Sequence, residues 1–368
     1  MFGRAAASPG LFAHVVHTQP AALDAAQLDR SRAALAACPV GAIRVENSAK
    51  INHANKAAGG GGMRLSTDDE VLARSLAISP RFNGLERPFP RPLLSGRDIG
   101  VHYLGHHHDE SFGAVPYLAQ GLDHRGREVS VMVDTPRFSS SAVKAVVSLA
   151  GPDGPDYLFL SHVDDVSDHD RWAAEFPALR RIFHEGDLGR YNWREDHSLD
   201  NVEVLLRGEQ DGSGGAEAFR AWNLDGEDAK LDDLPGDFAV LHTPGHSPGS
   251  ISLLFRGKGG EQDSAKVSGP EERKGVLFTG DTYAYSTRDG GSMSGFPQYC
   301  KQGLVRQADT LRRLKNIVDL WDVVAPGHGH PRDYISNFDG LDSEQCRVVK
   351  AKEIQDAVEG LMQHQRAL

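Results

Sequence analysis

Four short segments gather the residue types that bind metal ions. They are Ser161-His162-Val163-Asp164-Asp165-Val166-Ser167-Asp168-His169, Thr243-Pro244-Gly245-His246, Phe278-Thr279-Gly280-Asp281-Thr282 and Ala325-Pro326-Gly327-His328-Gly329. Each follows an apolar, strand-like run, so each puts its polar residue where a loop leaves a strand. Imidazoles and carboxylates converging from several strand ends build a metal site with open coordination positions. Residues i and i+2 of an extended segment face the same way, so His162 and Asp164 can share one ion. Asp168 and His169 come just after and can reach a second. One carboxylate can bridge two cations, and Asp281 ends a strand. His246 and His328 sit beside glycines, which let the backbone approach closely.

The elements that must position these residues follow from pattern. The run Ser111–Ala119 and the run Val129–Asp134 read as a hairpin, followed by a helix over 139–150 and a buried strand over 157–160. A helix starts near Asp168, which can cap it. Further strands fall at 180–183, 202–206, 238–242, 250–255 and 275–279. Leu304, Ala308, Leu311 and Leu314 place a helix over 302–317. A last strand over 323–325 leads into Pro326-Gly327-His328, and 343–366 reads as a terminal helix. Strands alternating with helices indicate an α/β protein.

Domain limits follow from composition. A small ordered piece, strand then helix then strand, occupies residues 10–46. Residues 47–87, with Gly59-Gly60-Gly61-Gly62, read as a flexible linker. The main domain spans 88–341, with exposed insertions at 207–230 and 257–274, and 342–368 forms the C-terminal helix. The 368 residues carry a net charge of −11, which argues against broad contact with nucleic acid or anionic membrane. No run approaches the ~20 apolar residues that span a bilayer. Cys38, Cys300 and Cys346 are too few and too scattered for a disulfide framework, so a soluble protein of a reducing compartment is expected. Chloroplast and cytoplasm both fit. The oligomeric state stays open.

The four segments, in this order, resemble the motifs of the metallo-β-lactamase-fold hydrolases: His-x-His-x-Asp-His, a distant His, a bridging Asp and a last His. The resemblance spans roughly residues 100–335 and implies a four-layer αββα sandwich with the metals at one edge, between the sheets. Position by position, it gives one metal His162, Asp164, His246 and Asp281, and a second metal Asp168, His169, Asp281 and His328. The first motif departs from the pattern, because Asp164 replaces the second His and two extra residues precede Asp168-His169. Asp165 therefore competes with Asp164 as ligand. Two zinc ions are the leading cofactor, while an extra carboxylate hardens the site toward iron or manganese.

A plant, algal and cyanobacterial subgroup carries the same His-x-Asp-Asp-x-x-Asp-His variant after a ferredoxin-like segment. Cys38-Pro39-Val40-Gly41-Ala42-Ile43 resembles the last cluster-binding element of such a ferredoxin. The preceding Cys-x-x-Cys-x-x-Cys run is absent, and one thiolate does not hold a cluster that needs four. Residues 1–46 therefore read as a truncated ferredoxin-like α+β segment, with no iron–sulfur cluster expected.

Other residues are read more plainly. Asp134 ends a strand and suits a role orienting a ligand. His106-His107-His108 reads as a solvated loop, with a lip over the site as the alternative. Tyr283 and Tyr285 follow the bridging Asp and fit either oxyanion donation or packing. His330 competes weakly with His328.

The resemblance implies a metal-dependent hydrolase, with a metal-bound hydroxide attacking a small ester, thioester or phosphoester. Asp168 or Asp164 is the candidate proton acceptor. The Thr-Gly-Asp-Thr and Thr-Pro-Gly-His elements look most like thioester hydrolases of the glyoxalase II kind. The rival is a mononuclear iron sulfur dioxygenase using His162, His246 and Asp281. A nuclease is disfavoured by the acidic balance, and a vestigial, non-enzymatic site by the near-complete ligand set.

Overall fold

The runs Phe238–His242, Ile251–Phe255, Val276–Gly280 and Val323–Pro326 are buried along their whole length. Strands without a solvent face need cover on both sides, which requires layers. The computed structural model describes residues 2–4, 13–15, 89–94, 97–208, 219–257, 275–287, 291–334 and 341–367. The chain divides into two units, residues 1–89 with 139–141, and residues 90–138 with 142–368. In the first, strands β1 (Phe2–Arg4) and β2 (Ala13–Val15) pair antiparallel. The remainder of the expected ferredoxin-like segment, Cys38 included, the linker 47–87 and the insertion beyond Gly257 lie outside the described residues.

The second unit holds two large sheets. The first runs β3 (Arg91–Leu94), β4 (Arg97–Tyr103), β5 (Tyr117–Leu122), β6 (Glu128–Val133), β7 (Tyr157–Phe159), β8 (Arg180–His184) and β9 (Val204–Leu206), in that spatial order. Its β3–β6 half is antiparallel and its β6–β9 half parallel. The second runs β10 (Ala221–Trp222), β11 (Phe238–His242), β12 (Ile251–Phe255), β13 (Val276–Gly280), β16 (Val323–Pro326) and β17 (Arg332–Asp333). Between β13 and β16 the chain forms the hairpin of β14 (Ala284–Ser286) and β15 (Ser292–Ser294).

The two-residue period of the strands sorts their side chains into three apolar layers. Tyr117, Phe159, Ile182, Val240, Phe255 and Phe278 meet between the sheets. Leu118, Met132, Leu158 and Phe183 face the other way, onto Ala142 and Val146 of α1 (Ser140–Ala150) and Trp172 of α2 (His169–Glu175). Ala239, Leu254, Leu277 and Val324 face Leu304, Ala308 and Leu311 of α3 (Leu304–Leu314) and Ile354, Val358 and Leu361 of α4 (Ser343–Ala367). The result is the αββα sandwich that the resemblance implies. Burying each such Leu or Phe contributes roughly 1.5–3 kcal/mol. Among the described residues no helix is long and apolar enough to cross a membrane.

Three local expectations change. The strand begins at Tyr117 rather than Ser111, because Phe112 (φ 52°) and Gly113 (φ 84°) take left-handed backbone that no strand accepts. Residues 219–230, read as part of an exposed insertion, contain β10, whose Trp222 is 2% exposed in the core between the sheets. Strands β3 and β4 were not legible as separate elements.

Candidate metal centre

Each site residue leaves the end of a strand. Asp134 follows β6, and His162 comes three residues after β7. His246 comes four residues after β11, Asp281 directly follows β13, and His328 comes two residues after β16. Bonds between the sheets fix this rim. The Ile251 N–H donates to the Ser161 carbonyl at 2.9 Å, the Val115 N–H to the Gly327 carbonyl at 2.8 Å, and the Tyr117 hydroxyl to the Pro326 carbonyl at 3.0 Å. Gly280 (φ 48°) lies so close to Ser161 that a Cβ would stand 2.7 Å from its Oγ. At Gly327 a Cβ would stand 2.8 Å from an Asp165 oxygen.

After His162 the chain curls into a 3₁₀ turn, Val163–Asp165, instead of running extended. The turn separates the two carboxylates, which is why Asp164 and Asp165 do not compete for one place. Asp164 Oδ2 lies 3.3 Å from His246 Nε2 and 3.8 Å from His162 Nε2. Asp281 Oδ2 lies 3.8 Å from His246 Nε2 and 3.9 Å from His162 Nε2. Ligand atoms around a tetrahedral ion at about 2.1 Å stand about 3.4 Å apart, so small inward shifts complete a four-donor site.

Asp165 faces the other way. Its Oδ2 lies 3.9 Å from His328 Nδ1 and 3.8 Å from His162 Nδ1, and His328 Nδ1 lies 2.8 Å from Asp281 Oδ1. Asp281 thus presents one oxygen to each group. His162 Nε2, His328 Nε2 and both Asp165 oxygens are buried without a hydrogen-bond partner. Buried polar atoms are nearly always paired, and a convergent set of unpaired imidazole nitrogens and carboxylate oxygens is what a divalent cation satisfies. The donor set fits one ion at His162, Asp164, His246 and Asp281; Asp165 and Asp281 form a second group with His162, and His328 reaches it through Nδ1, the nitrogen on Asp281 Oδ1, rather than through its unpaired Nε2.

Burial pushes the Asp165 carboxyl well up, and the nearby Asp281, Asp134 and Asp164 charges push the same way against His328. Burial also raises Asp281, but the hydrogen bond and charge of His328 hold it far below the usual carboxylate range. Burial pulls His162 down to about 3, with His246 next. His328 rises to about 10 because Asp165 and Asp281 outweigh its burial. Carboxylates crowded this closely repel one another, and a cation among them relieves that repulsion.

Second contacts brace the donors. Asp134 accepts the Ser161 N–H at 2.8 Å and the Ser161 hydroxyl at 3.0 Å, and the Ser161 Oγ sits 3.0 Å from His162 Nδ1. Burial, its largest influence, lifts the Asp134 carboxyl to about 7 despite these bonds. Asp187, fully buried, accepts from the Val163 N–H at 2.9 Å, the Ser247 hydroxyl at 2.7 Å and the Gly249 N–H at 2.6 Å. It ties the His162 turn to the His246 loop. Sequence reasoning missed Asp187, although it follows the end of β8 as the other carboxylates follow theirs.

Asp168 and His169 are held elsewhere. Asp168 Oδ2 lies 3.1 Å from His108 Nε2 and accepts the Phe138 N–H at 2.8 Å, while Oδ1 accepts from Arg171 at 3.1 Å. It precedes α2 with φ 62° and caps no helix N–H with its side chain. His169 Nε2 lies 3.0 Å from Asp196 Oδ2, and Arg181 donates to its Nδ1 at 3.2 Å. The structure does not bring either to the four-donor group. His106 and His108 are buried rather than solvated, and His107 contacts Tyr103 and the Gly113 carbonyl. Tyr283 is buried in the packing of α3 and α4 on the second sheet, and His330 is exposed. Two further residues at Asp164, Trp193 and Lys301, were not foreseen. They lie 29 and 137 positions away along the chain, and no local motif announces them.

No protein-family model and no curated protein matches this chain. Solved structures do. A metallo-β-lactamase family protein from Thermus thermophilus is 17% identical over 73% of this chain and 80% of its own, with a TM-score of 0.38. TMB-1 is 13% identical over 71% of this chain and 95% of its own, with a TM-score of 0.36. A diflavin flavoprotein A 5 fragment from Nostoc is 12% identical over 69% and 84%, with a TM-score of 0.37. Likenesses this distant decide nothing about the chemistry here, which follows from the chain's own donor atoms.

Proposed function

We propose that this chain is a metal-dependent hydrolase of the metallo-β-lactamase fold, acting on a small ester, thioester or phosphoester. One observation carries the reading: the donor atoms of His162, Asp164, His246 and Asp281 stand 3.3–3.9 Å apart in the pairs that define the group. A divalent ion bound there supplies Lewis acidity and a water that ionises near neutral pH.

The chain's own residues do the rest. Asp281 would hold both ions through its two oxygens. Asp165, whose oxygens have no hydrogen-bond partner, replaces Asp168 and His169 in the second set. Asp168, engaged by His108, Phe138 and Arg171, is not free to accept a proton. Asp134 and Ser161 fix the His162 ring. Zinc is the metal proposed, given two or more imidazoles among the donors. The Thr-Gly-Asp-Thr and Thr-Pro-Gly-His elements support a thioester as the first substrate class to screen. The fold hosts many reactions, so that preference is analogy.

The test is elemental analysis of protein purified without added metal, paired with a screen of thioesters and phosphoesters. Two zincs per chain, with hydrolysis abolished in Asp281→Ala, are expected. A single iron with oxygen-consuming activity on a thiol-derived substrate would replace this reading with the dioxygenase one. Absence of metal in protein challenged with zinc would overturn both.

A further inference from the structure

The two oxygens of Asp164 have different partners. Oδ2 faces the imidazoles of His246 and His162 at 3.3 and 3.8 Å. Oδ1 faces outward, 2.5 Å from Lys301 Nζ and 2.6 Å from Trp193 Nε1. We propose that Lys301 and Trp193 form a clamp on Asp164 that makes this carboxylate serve as a neutral, single-point donor, in the place a histidine would take.

The argument is electrostatic and geometric, and it rests on the metal reading above. Exchanging a neutral imidazole for a carboxylate adds one negative charge to the donor set. An ammonium at hydrogen-bond distance offsets it, on a carboxylate that is itself only 13% exposed. Two donors on Oδ1 also occupy the oxygen that bidentate coordination would use. The carboxylate then offers Oδ2 alone and takes one coordination position rather than two. A second-contact residue of this kind tunes a metal site through its ligand.

The clamp is itself held in place. The Lys301 N–H donates to the His246 carbonyl at 2.7 Å, so the lysine and the ligand loop move together. Arg194 donates to the Asp164 carbonyl at 3.2 Å, and its guanidinium lies 4.5 Å from the centre of the Trp193 ring. The Phe112 ring stands 6.1 Å from Trp193 and 5.9 Å from the Arg194 guanidinium.

The test measures Zn²⁺ affinity of the full chain by competition with a chromophoric chelator, for wild type, Lys301→Met, Lys301→Arg, Asp164→His and the double variant Asp164→His/Lys301→Met. Lys301→Met should bind Zn²⁺ about tenfold more tightly, because a positive charge beside the ion is removed, and Lys301→Arg should match wild type. Asp164→His alone should bind at least about tenfold more weakly, because it leaves the ammonium unpaired beside the ion, and Lys301→Met should restore that loss. Trp193 is half-exposed, whereas Trp172, Trp222 and Trp321 are buried. Zn²⁺ should therefore change the protein's fluorescence in wild type and not in Trp193→Phe. Additive effects in the cycle, or unchanged or weaker binding in Lys301→Met, would overturn the clamp and leave the metal reading standing. No Zn²⁺ binding by the wild type would overturn the metal reading and the clamp with it.

Discussion

His169 Nε2 lies 3.0 Å from the Asp196 carboxylate, and Ser198 Oγ contacts the same nitrogen at 3.0 Å. With Arg181 of β8 on Nδ1, both ring nitrogens are engaged, one tying α2 to β8 and the other to the segment around Asp196. The hydrogen bond from His169 is the main reason the Asp196 carboxyl sits below its usual range. His169→Gln should therefore leave metal content unchanged while lowering stability by about 1–3 kcal/mol, the range for stranding a buried partner. Elemental analysis with urea unfolding checks both halves. A variant that loses metal at unchanged stability would return His169 to the ligand set.

Asp281 and Asp165 should behave differently from one another. Asp281 offers Oδ2 to the His162–His246 side and Oδ1 to His328, so Asp281→Asn should empty both positions. Asp165 serves only the His328 side, and Asp165→Asn should retain one ion. Metal stoichiometry of the two variants separates the cases. Equal loss in both would show that the two positions fill only together.

The strand ends that carry Asp134, His246, Asp281 and His328 were legible because each follows a buried apolar run and, in three of the four cases, a glycine turn. The ligand partition was not legible. Spacing suggested that Asp168 and His169 complete the second metal, but spacing cannot foresee a 3₁₀ turn at 163–165 that swings Asp165 toward His328. The left-handed backbone of Asp168 then turns the following residues into α2. Likewise Asp187, Trp193 and Lys301 reach the site through tertiary packing alone. The edge strand at Trp222 was hidden because its neighbours are polar and glycine-rich, though the indole itself is buried.

The Asp134–Ser161–His162 chain predicts a graded loss. Ser161→Ala removes the hydroxyl that links the Asp134 carboxylate to His162 Nδ1, freeing the ring to rotate away from the site. Metal affinity should fall about 10–100-fold, the usual consequence of removing an orienting contact, and stability by about 1–3 kcal/mol from the buried partners left unpaired. Chelator competition measures it. An affinity within about twofold of wild type would mean that packing against His246, 4.7 Å away between ring centres, orients His162 unaided.

The last expectation concerns acid stability. His242 is 1% exposed, its Nε2 donates to the Pro248 carbonyl at 3.0 Å, and its ring stacks on His184 at 4.3 Å. Burial, then His184, lowers it from 6.5 to about 3. Below pH 6.5 the unfolded chain protonates this imidazole and the folded chain does not. The unfolded state then binds more protons, so stability falls as pH falls from 6.5 toward 3, at about 1.4 kcal/mol per unit from this group. Above pH 6.5 the group contributes no pH dependence. His242→Gln keeps a donor for Pro248 and removes the titration. Urea unfolding with chelator present, at pH 7 and pH 4.5, should show wild type losing about 2–3 kcal/mol more than the variant. His162, lowered in the same direction, contributes equally to both proteins and cancels in the difference. Identical losses would mean that the fold opens around His242 and admits the proton before the chain unfolds.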